Sequence, residues 1–185
     1  SGGNYENLVA DKTPVSTSVT DTVDTTTVSL TATGDVNEGG SIIYTATLTN
    51  PAGTPVTVTL SNGATITIDA GKTTGTVKVD APKDDVYKDA GTVEVTIKNA
   101  TGGNFENLVP STVPAVTNVA DTTNTTRLTL SADLLVAEGS HITYTATLTH
   151  AAQTPVTVTL SNGESITIAA GKTSGSVTIA APSDD

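Results

Sequence analysis

A gapless internal repeat is the feature that most constrains the fold of this chain. When residues 1–85 are set against residues 101–185, 50 of the 85 positions carry the same amino acid at a constant offset of 100 residues. The segment TPVTVTLSNG, for example, stands at 54–63 and again at 154–163. Self-similarity at a fixed period is typical of a tandem array in which each period folds as one unit. The sequence therefore predicts copies of one small domain.

The amino-acid composition predicts that this domain is built of β-strands. Threonine alone supplies 40 of the 185 residues, while the chain has one phenylalanine and neither tryptophan nor methionine. Threonine and valine favour extended backbone because their branched Cβ packs well on a pleated sheet. Cysteine is absent, so no disulfide or thiolate metal site is available to stabilise the fold. We expect an all-β protein with a thin aliphatic core.

Alternating apolar residues predict seven strands within one period of about 100 residues. The candidate strands are TTVSLTAT, SIIYTATLTN, VTVTL, TITI, TVKVDAP, TVEVTIKNA and ENLVPSTVPAVTNV. The last of them contains Pro110 and Pro114, which suit an edge strand or a kinked one. Seven strands at this spacing are typical of an antiparallel, immunoglobulin-like sandwich.

The phase of the repeat is a separate prediction. We expect a last strand of a preceding repeat, one complete repeat, and a following repeat that lacks its last two strands, at residues 1–21, 22–121 and 122–185. The alternative phase makes 1–85 and 101–185 the domains, with 86–100 as a connector. We favour the first phase because TVEVTIKNA, at 92–100, alternates too regularly for a linker.

Charge and motifs exclude several classes of function. The net charge is −11, from 19 acidic and 8 basic residues, so we expect neither nucleic acid nor an anionic membrane surface as a partner. No apolar run is long enough for insertion into a bilayer. The two histidines, His141 and His150, align with Ser41 and Asn50, and no nucleophile and base accompany them. We therefore do not expect an enzyme.

Acidic residues collect in DAPKDDVYKDAG, at 80–91. Successive connections of a seven-strand sandwich alternate between its two ends, so the first connection, the fifth and the exit of the last strand meet at one end. These places hold Glu38, Asp84, Asp85, Asp89 and Asp121. Converging carboxylates repel one another unless a cation neutralises them, and Ca²⁺ prefers such oxygen ligands. The alternative is that they are solvated turn residues, since aspartate is common in turns.

The segments VNEGGSIIYTATLTNPAGTPVTVTLSNG and AGKTTGTVKVDAPKDDVYKDAGTVEVTIKNATGG resemble a Calx-beta-type motif. More closely, the Thr/Val-rich units joined by VADTTNTT resemble repeats of giant bacterial surface adhesins of the LapA type, which are exported by type I secretion and act in biofilm formation. The resemblance implies extracellular stalk modules stiffened by Ca²⁺ at domain junctions. It implies the same five ligands in the first repeat and, in the second, an incomplete site with Glu138, Asp184 and Asp185.

Together these features predict structural extender repeats of a secreted adhesin at the bacterial cell surface, with Ca²⁺ as cofactor and neighbouring repeats of the same chain as partners. The alternative is a ligand-binding, immunoglobulin-like adhesion module that recognises a glycan or another surface. An incomplete second sandwich with exposed edges could also pair with residues 1–21 of another copy. That pairing would give a strand-exchanged homodimer.

Overall fold

The computed structural model describes residues 2–183, and all regular structure within them is β-strand. In the first unit (residues 25–121) the strands are β1 (Thr25–Ala32), β2 (Asp35–Asn37), β3 (Ser41–Leu48), β4 (Val56–Leu60), β5 (Thr65–Ile68), β6 (Thr74–Asp80), β7 (Gly91–Val95), β8 (Ile97–Gly102), β9 (Asn107–Pro110) and β10 (Ala115–Ala120). In the second unit (residues 122–183) they are β11 (Leu128–Ala132), β12 (His141–Leu148), β13 (Val156–Thr159), β14 (Ser165–Ile168) and β15 (Ser174–Ala180). The described residues contain no helix that could cross a membrane.

The first unit is a β-sandwich, as the composition predicts. One sheet has the strand order β6-β3-β1-β9, and the others have the orders β5-β4-β8 and β2-β10-β7. Apolar side chains from all three sheets form one core, which includes Val28, Tyr44, Val58, Ile66 and Val95. The all-β, sandwich-like fold class is therefore confirmed.

Burial alternates along the strands in the way the sequence pattern predicts. In β3, Ile42, Tyr44, Ala46 and Leu48 are buried, while Ile43 and Thr47 between them are exposed and Thr45 is half-buried. Because side chains of a strand point alternately to its two faces, this pattern places the apolar set in the core and leaves threonine at the surface. Tyr44 is the largest fully buried side chain.

The first unit contains ten strands where the sequence pattern predicts seven. One cause is that TVEVTIKNA is divided at Thr96, so that β7 pairs with β10 and β8 pairs with β4. The register between β4 and β8 shifts between Thr59 and Leu60, and Ser61 is hydrogen-bonded to the backbone of Thr96 at 2.9 and 3.1 Å. A bulge of this kind bends a strand and lets it move from one sheet to another.

The proline-containing segment is divided in the same way. β9, which ends at Pro110, lies at a sheet edge and pairs in parallel with β1, whereas β10 pairs antiparallel with β7 and parallel with β2. The other strand pairs are antiparallel. The change of sheet between Pro110 and Ala115 fits the inability of proline to donate a ladder hydrogen bond.

The second unit repeats the first half of this arrangement. β11, β12 and β15 form one sheet, β13 and β14 form another, and Ala146, Ile166 and Ile168 are buried between them. Residues 2–24 form no strand and are exposed along their whole length. The domain phase stays a prediction.

Candidate metal centre at the junction of the two units

Three segments of backbone place the acidic side chains at the end of the first unit. Glu38 follows β2, and its N–H donates to the carbonyl of Ala120 at 3.0 Å. The next residue, Gly39, donates to the carbonyl of Pro82 at 2.7 Å and has a φ of +69°, which glycine adopts without strain. The turn after β2 is thereby tied both to the end of β10 and to the loop that follows β6.

The carboxylates of Glu38, Asp89 and Asp121 converge at this place. One oxygen of each lies within 4.8 Å of the others. Glu38 is buried, with 7 % of its surface exposed, while Asp121 is half-buried and Asp89 is exposed. The cluster is therefore open to solvent on the side of Asp89 and closed on the side of Glu38.

Two oxygens of this cluster lack hydrogen-bond partners. Among the described residues, nothing donates a hydrogen bond to Glu38 Oε2 or Asp121 Oδ1, although both atoms are buried. Buried polar atoms in native proteins are almost always paired, so such orphans need a physical explanation. A bound cation would supply one for both oxygens at once.

The electrostatics of the cluster agree with this geometry. The pKa of Glu38 is raised from 4.5 to about 7, first by a side-chain hydrogen bond with Asp89 and by burial. The negative charges of Asp89, Asp121 and Asp85 raise this pKa further. Without a cation, and between about pH 4.5 and 7, Glu38 therefore holds a proton that an isolated carboxyl group would release.

Asp84 is not one of the three clustered residues and instead holds the linker between the units. It accepts hydrogen bonds from the Thr122 hydroxyl and from the Asn124 amide, the latter at 3.0 and 3.1 Å. These bonds, Thr122 first, lower the pKa of Asp84. Asp84 is thus a charged acceptor that binds the linker to the acidic loop.

Asp85 organises the same loop. Its side chain accepts from the backbone N–H of Tyr87 at 2.7 Å, and its carbonyl accepts from Asn124. Asp85 also lies near enough to Glu38 for its charge to raise the pKa of that residue.

Of the three residues predicted for a second site, the structure describes only Glu138. Glu138 is exposed, and the described residues form only one acidic cluster, that of Glu38, Asp89 and Asp121. Asp184 and Asp185 lie outside the described residues.

Tyr87 joins the two units directly, a role that the sequence did not indicate. Its hydroxyl donates to the carbonyl of Ala151, in the second unit, at 2.8 Å. Val86, Tyr87 and Lys88 line one side of a cleft of about 360 Å³, and residues 148–156 contribute to the other side. The loop that supplies Asp89 to the cluster thus also contacts the next unit.

Comparison with known proteins shows that one family model matches most of the chain. The family model of the LapA domain matches residues 24–122 and 124–185. Comparison with curated proteins gave no match. Among solved structures, the chain is similar to the human OSCAR ligand-binding domain at 12% identity, over 83% of this chain and 82% of that one. The TM-score is 0.28, and the likeness carries no functional argument.

Proposed function

Because the chain belongs to the LapA domain family, we propose that it is a structural extender of a secreted bacterial adhesin whose junctions are made rigid by Ca²⁺. The observation that carries this proposal is that Glu38 and Asp121 each have a buried, unpartnered oxygen and that their carboxylates converge with that of Asp89 where the first unit ends. A cation there would join three parts of the chain: the turn after β2, the acidic loop and the start of the linker.

The donor set favours calcium among biological cations. The cluster offers carboxylate oxygens only, and the chain has no cysteine. Zinc prefers nitrogen and sulfur donors, and Mg²⁺ keeps several waters in a strict octahedron. Ca²⁺ accepts about six to eight oxygens in flexible geometry, including backbone carbonyls and water. Glu38, Asp89 and Asp121 would hold the ion, with Asp85 close by.

The surrounding contacts would convert ion binding into rigidity of the junction. Asp121 is the first residue after β10, and Thr122 and Asn124, which follow it, are already bound to Asp84. Tyr87 contacts the second unit from the same loop. Fixing Asp89 and Asp121 on one ion would therefore restrain the linker and the contact made by Tyr87.

The proposed role is mechanical: a row of such units would hold a distal adhesive domain away from the cell. Calcium sites of extracellular modules have Kd values of about 0.1–1 mM, so they fill outside a cell and empty inside it. This fits export of an unfolded chain by type I secretion and folding at the cell surface, where the adhesin would serve attachment and biofilm formation.

A thermal melt with and without calcium tests the metal centre. When free Ca²⁺ is tenfold above Kd, binding adds about 1.4 kcal/mol, which raises the Tm of a domain of this size by roughly 5–10 °C. We expect Asp89→Asn and Glu38→Gln to reduce this rise strongly. Asp89 is exposed, so its substitution leaves the folded core intact.

Glu138→Gln is the matched control, because Glu138 occupies the same place in the repeat but lies outside any cluster among the described residues. It should leave the full calcium-dependent rise in Tm. Equal rises in the wild type and both cluster variants would exclude the proposed site.

A further inference from the structure

The linker between the two units is held by hydrogen bonds from one amide and one hydroxyl to the acidic loop. The side-chain amide of Asn124 donates to both carboxylate oxygens of Asp84, at 3.0 and 3.1 Å, and to the carbonyl of Asp85. The Thr122 hydroxyl donates to the same carboxylate. These contacts, here called the linker clasp, join the first residues of the second unit to the loop that follows β6.

The acceptor side of the clasp is held in place and is negatively charged. The N–H of Tyr87 donates to the Asp85 side chain at 2.7 Å, and the N–H of Gly39 donates to the carbonyl of Pro82 at 2.7 Å. The hydrogen bonds from Thr122 and Asn124 lower the pKa of Asp84, so its carboxylate is ionised at neutral pH. An ionised carboxylate binds N–H and O–H donors strongly and repels a second carboxylate.

The repeat varies at the position that supplies the amide. The linker reads DTTN at 121–124, and its counterpart at 21–24 reads DTVD, so Asp24 stands where the second unit has Asn124. An ionised aspartate only accepts hydrogen bonds, whereas the amide of asparagine donates two. The contact of Asp24 is also different, because its backbone N–H donates to Glu106 Oε2 at 2.5 Å. A linker of the DTVD type therefore has no amide to offer to Asp84.

We propose that the residue at position 124 determines which kind of unit fits behind the acidic loop of the first unit. An asparagine closes the clasp. An aspartate in its place would set a carboxylate against the Asp84 carboxylate and the Asp85 carbonyl, and such close acceptors repel one another. The partner that fits this loop is thus a LapA-type unit whose linker carries an amide as its fourth residue. The inference rests on the proposed extender function for its meaning, but the clasp involves no ion.

Spin labels in the two units test the clasp in the full chain. The labels are introduced through Lys98→Cys and Lys172→Cys, both at exposed positions, and the distances are measured in EGTA. Asn124→Asp should broaden the distance distribution, because it replaces the donor with a repelling carboxylate. Thr125→Asp is the matched control. It adds the same charge at an exposed position one residue further along the linker, outside the clasp, and should leave the distribution narrow.

Exchanging donor and acceptor tests whether the two residues act through each other. The double variant Asp84→Asn with Asn124→Asp places an amide opposite a carboxylate again and keeps the net charge at −11. Its distance distribution should be narrower than that of Asn124→Asp alone. The recovery should be partial, because the new carboxylate cannot donate to the carbonyl of Asp85.

The same variants measured in millimolar Ca²⁺ separate a clasp from a cation site. If the clasp residues held an ion directly, Asn124→Asp would tighten the junction in calcium, since Ca²⁺ favours carboxylate ligands. A distribution narrower than that of the wild type in calcium would therefore overturn the proposal. So would an unchanged distribution for Asn124→Asp in EGTA, equal broadening by Thr125→Asp, or a double variant as broad as Asn124→Asp. A wild type whose Tm does not respond to calcium would refute the metal centre alone, because the comparisons in EGTA need no ion.

Discussion

At the scale of single residues, the tertiary surroundings of a glutamate, rather than its local sequence motif, decide whether its carboxylate is buried. Glu38 and Glu138 both precede a glycine in the same turn. Glu38 is buried beside Asp89 and Asp121, and its pKa is raised to about 7. Glu138 is exposed. The sequence repeat aligns the two residues but does not show that one of them is buried and the other exposed.

The raised pKa of Glu38 predicts a pH dependence of stability in the absence of calcium. The ordinary pKa of a glutamate is 4.5, and that of Glu38 in the folded chain is about 7. Between these two pH values, Glu38 holds a proton in the folded chain that it has released in the unfolded chain. Unfolding then releases a proton, so the free energy of unfolding should fall as the pH rises through this window and level off above it. Melts in EGTA across this pH range should show the slope in wild type and in Glu138→Gln. Glu38→Gln should flatten it, and an unchanged slope in that variant would assign the effect to other groups.

At the scale of elements, the strands are predictable from the sequence and the contacts of the acidic loop are not. Alternation of apolar and polar residues places Ile42, Tyr44 and Val95 in the core because burial of one sheet face dominates the energetics. The same alternation cannot show that a strand changes sheet at Thr96, since the apolar period continues across the bulge. Nor does it show that Asp84 binds Thr122 and Asn124, because an exposed aspartate has many partners of similar energy.

Tyr87 provides a prediction at this scale. Tyr87→Phe removes the hydrogen bond to Ala151 and keeps the ring in the cleft, so the junction should loosen while both units stay folded. Spin labels introduced through Lys98→Cys and Lys172→Cys, one in each unit, should show a broader distance distribution in the variant. Tyr5→Phe, in the exposed segment before the first unit, is the control and should leave the distribution unchanged. An unchanged distribution in Tyr87→Phe would mean that the hydroxyl bond does not restrain the junction.

At the scale of the whole molecule, near-identical sequences have different surroundings in the two units. The segment TPVTVTLSNG occurs in both. In the first unit it is covered on its free edge by β8, and Val56, Val58 and Leu60 are fully buried. In the second unit β13 pairs only with β14 among the described residues, and the corresponding side chains are half-buried. The covering strand β8, rather than the local sequence, therefore decides how deeply these side chains are buried.

This difference predicts unequal protection of identical peptides in hydrogen exchange. Burying an aliphatic side chain fully contributes about 1.5–3 kcal/mol, so half-exposure of Leu128 and Leu130 alone should cost the second unit about 2 kcal/mol. Because about 1.4 kcal/mol corresponds to a tenfold change in an equilibrium constant, amides of 156–160 should exchange at least tenfold faster than those of 56–60 in a dilute sample. The two peptides have the same sequence, so their intrinsic exchange rates match and each serves as the control for the other. Equal protection of 56–60 and 156–160 in the dilute sample would show that the second unit reaches full stability without covering strands.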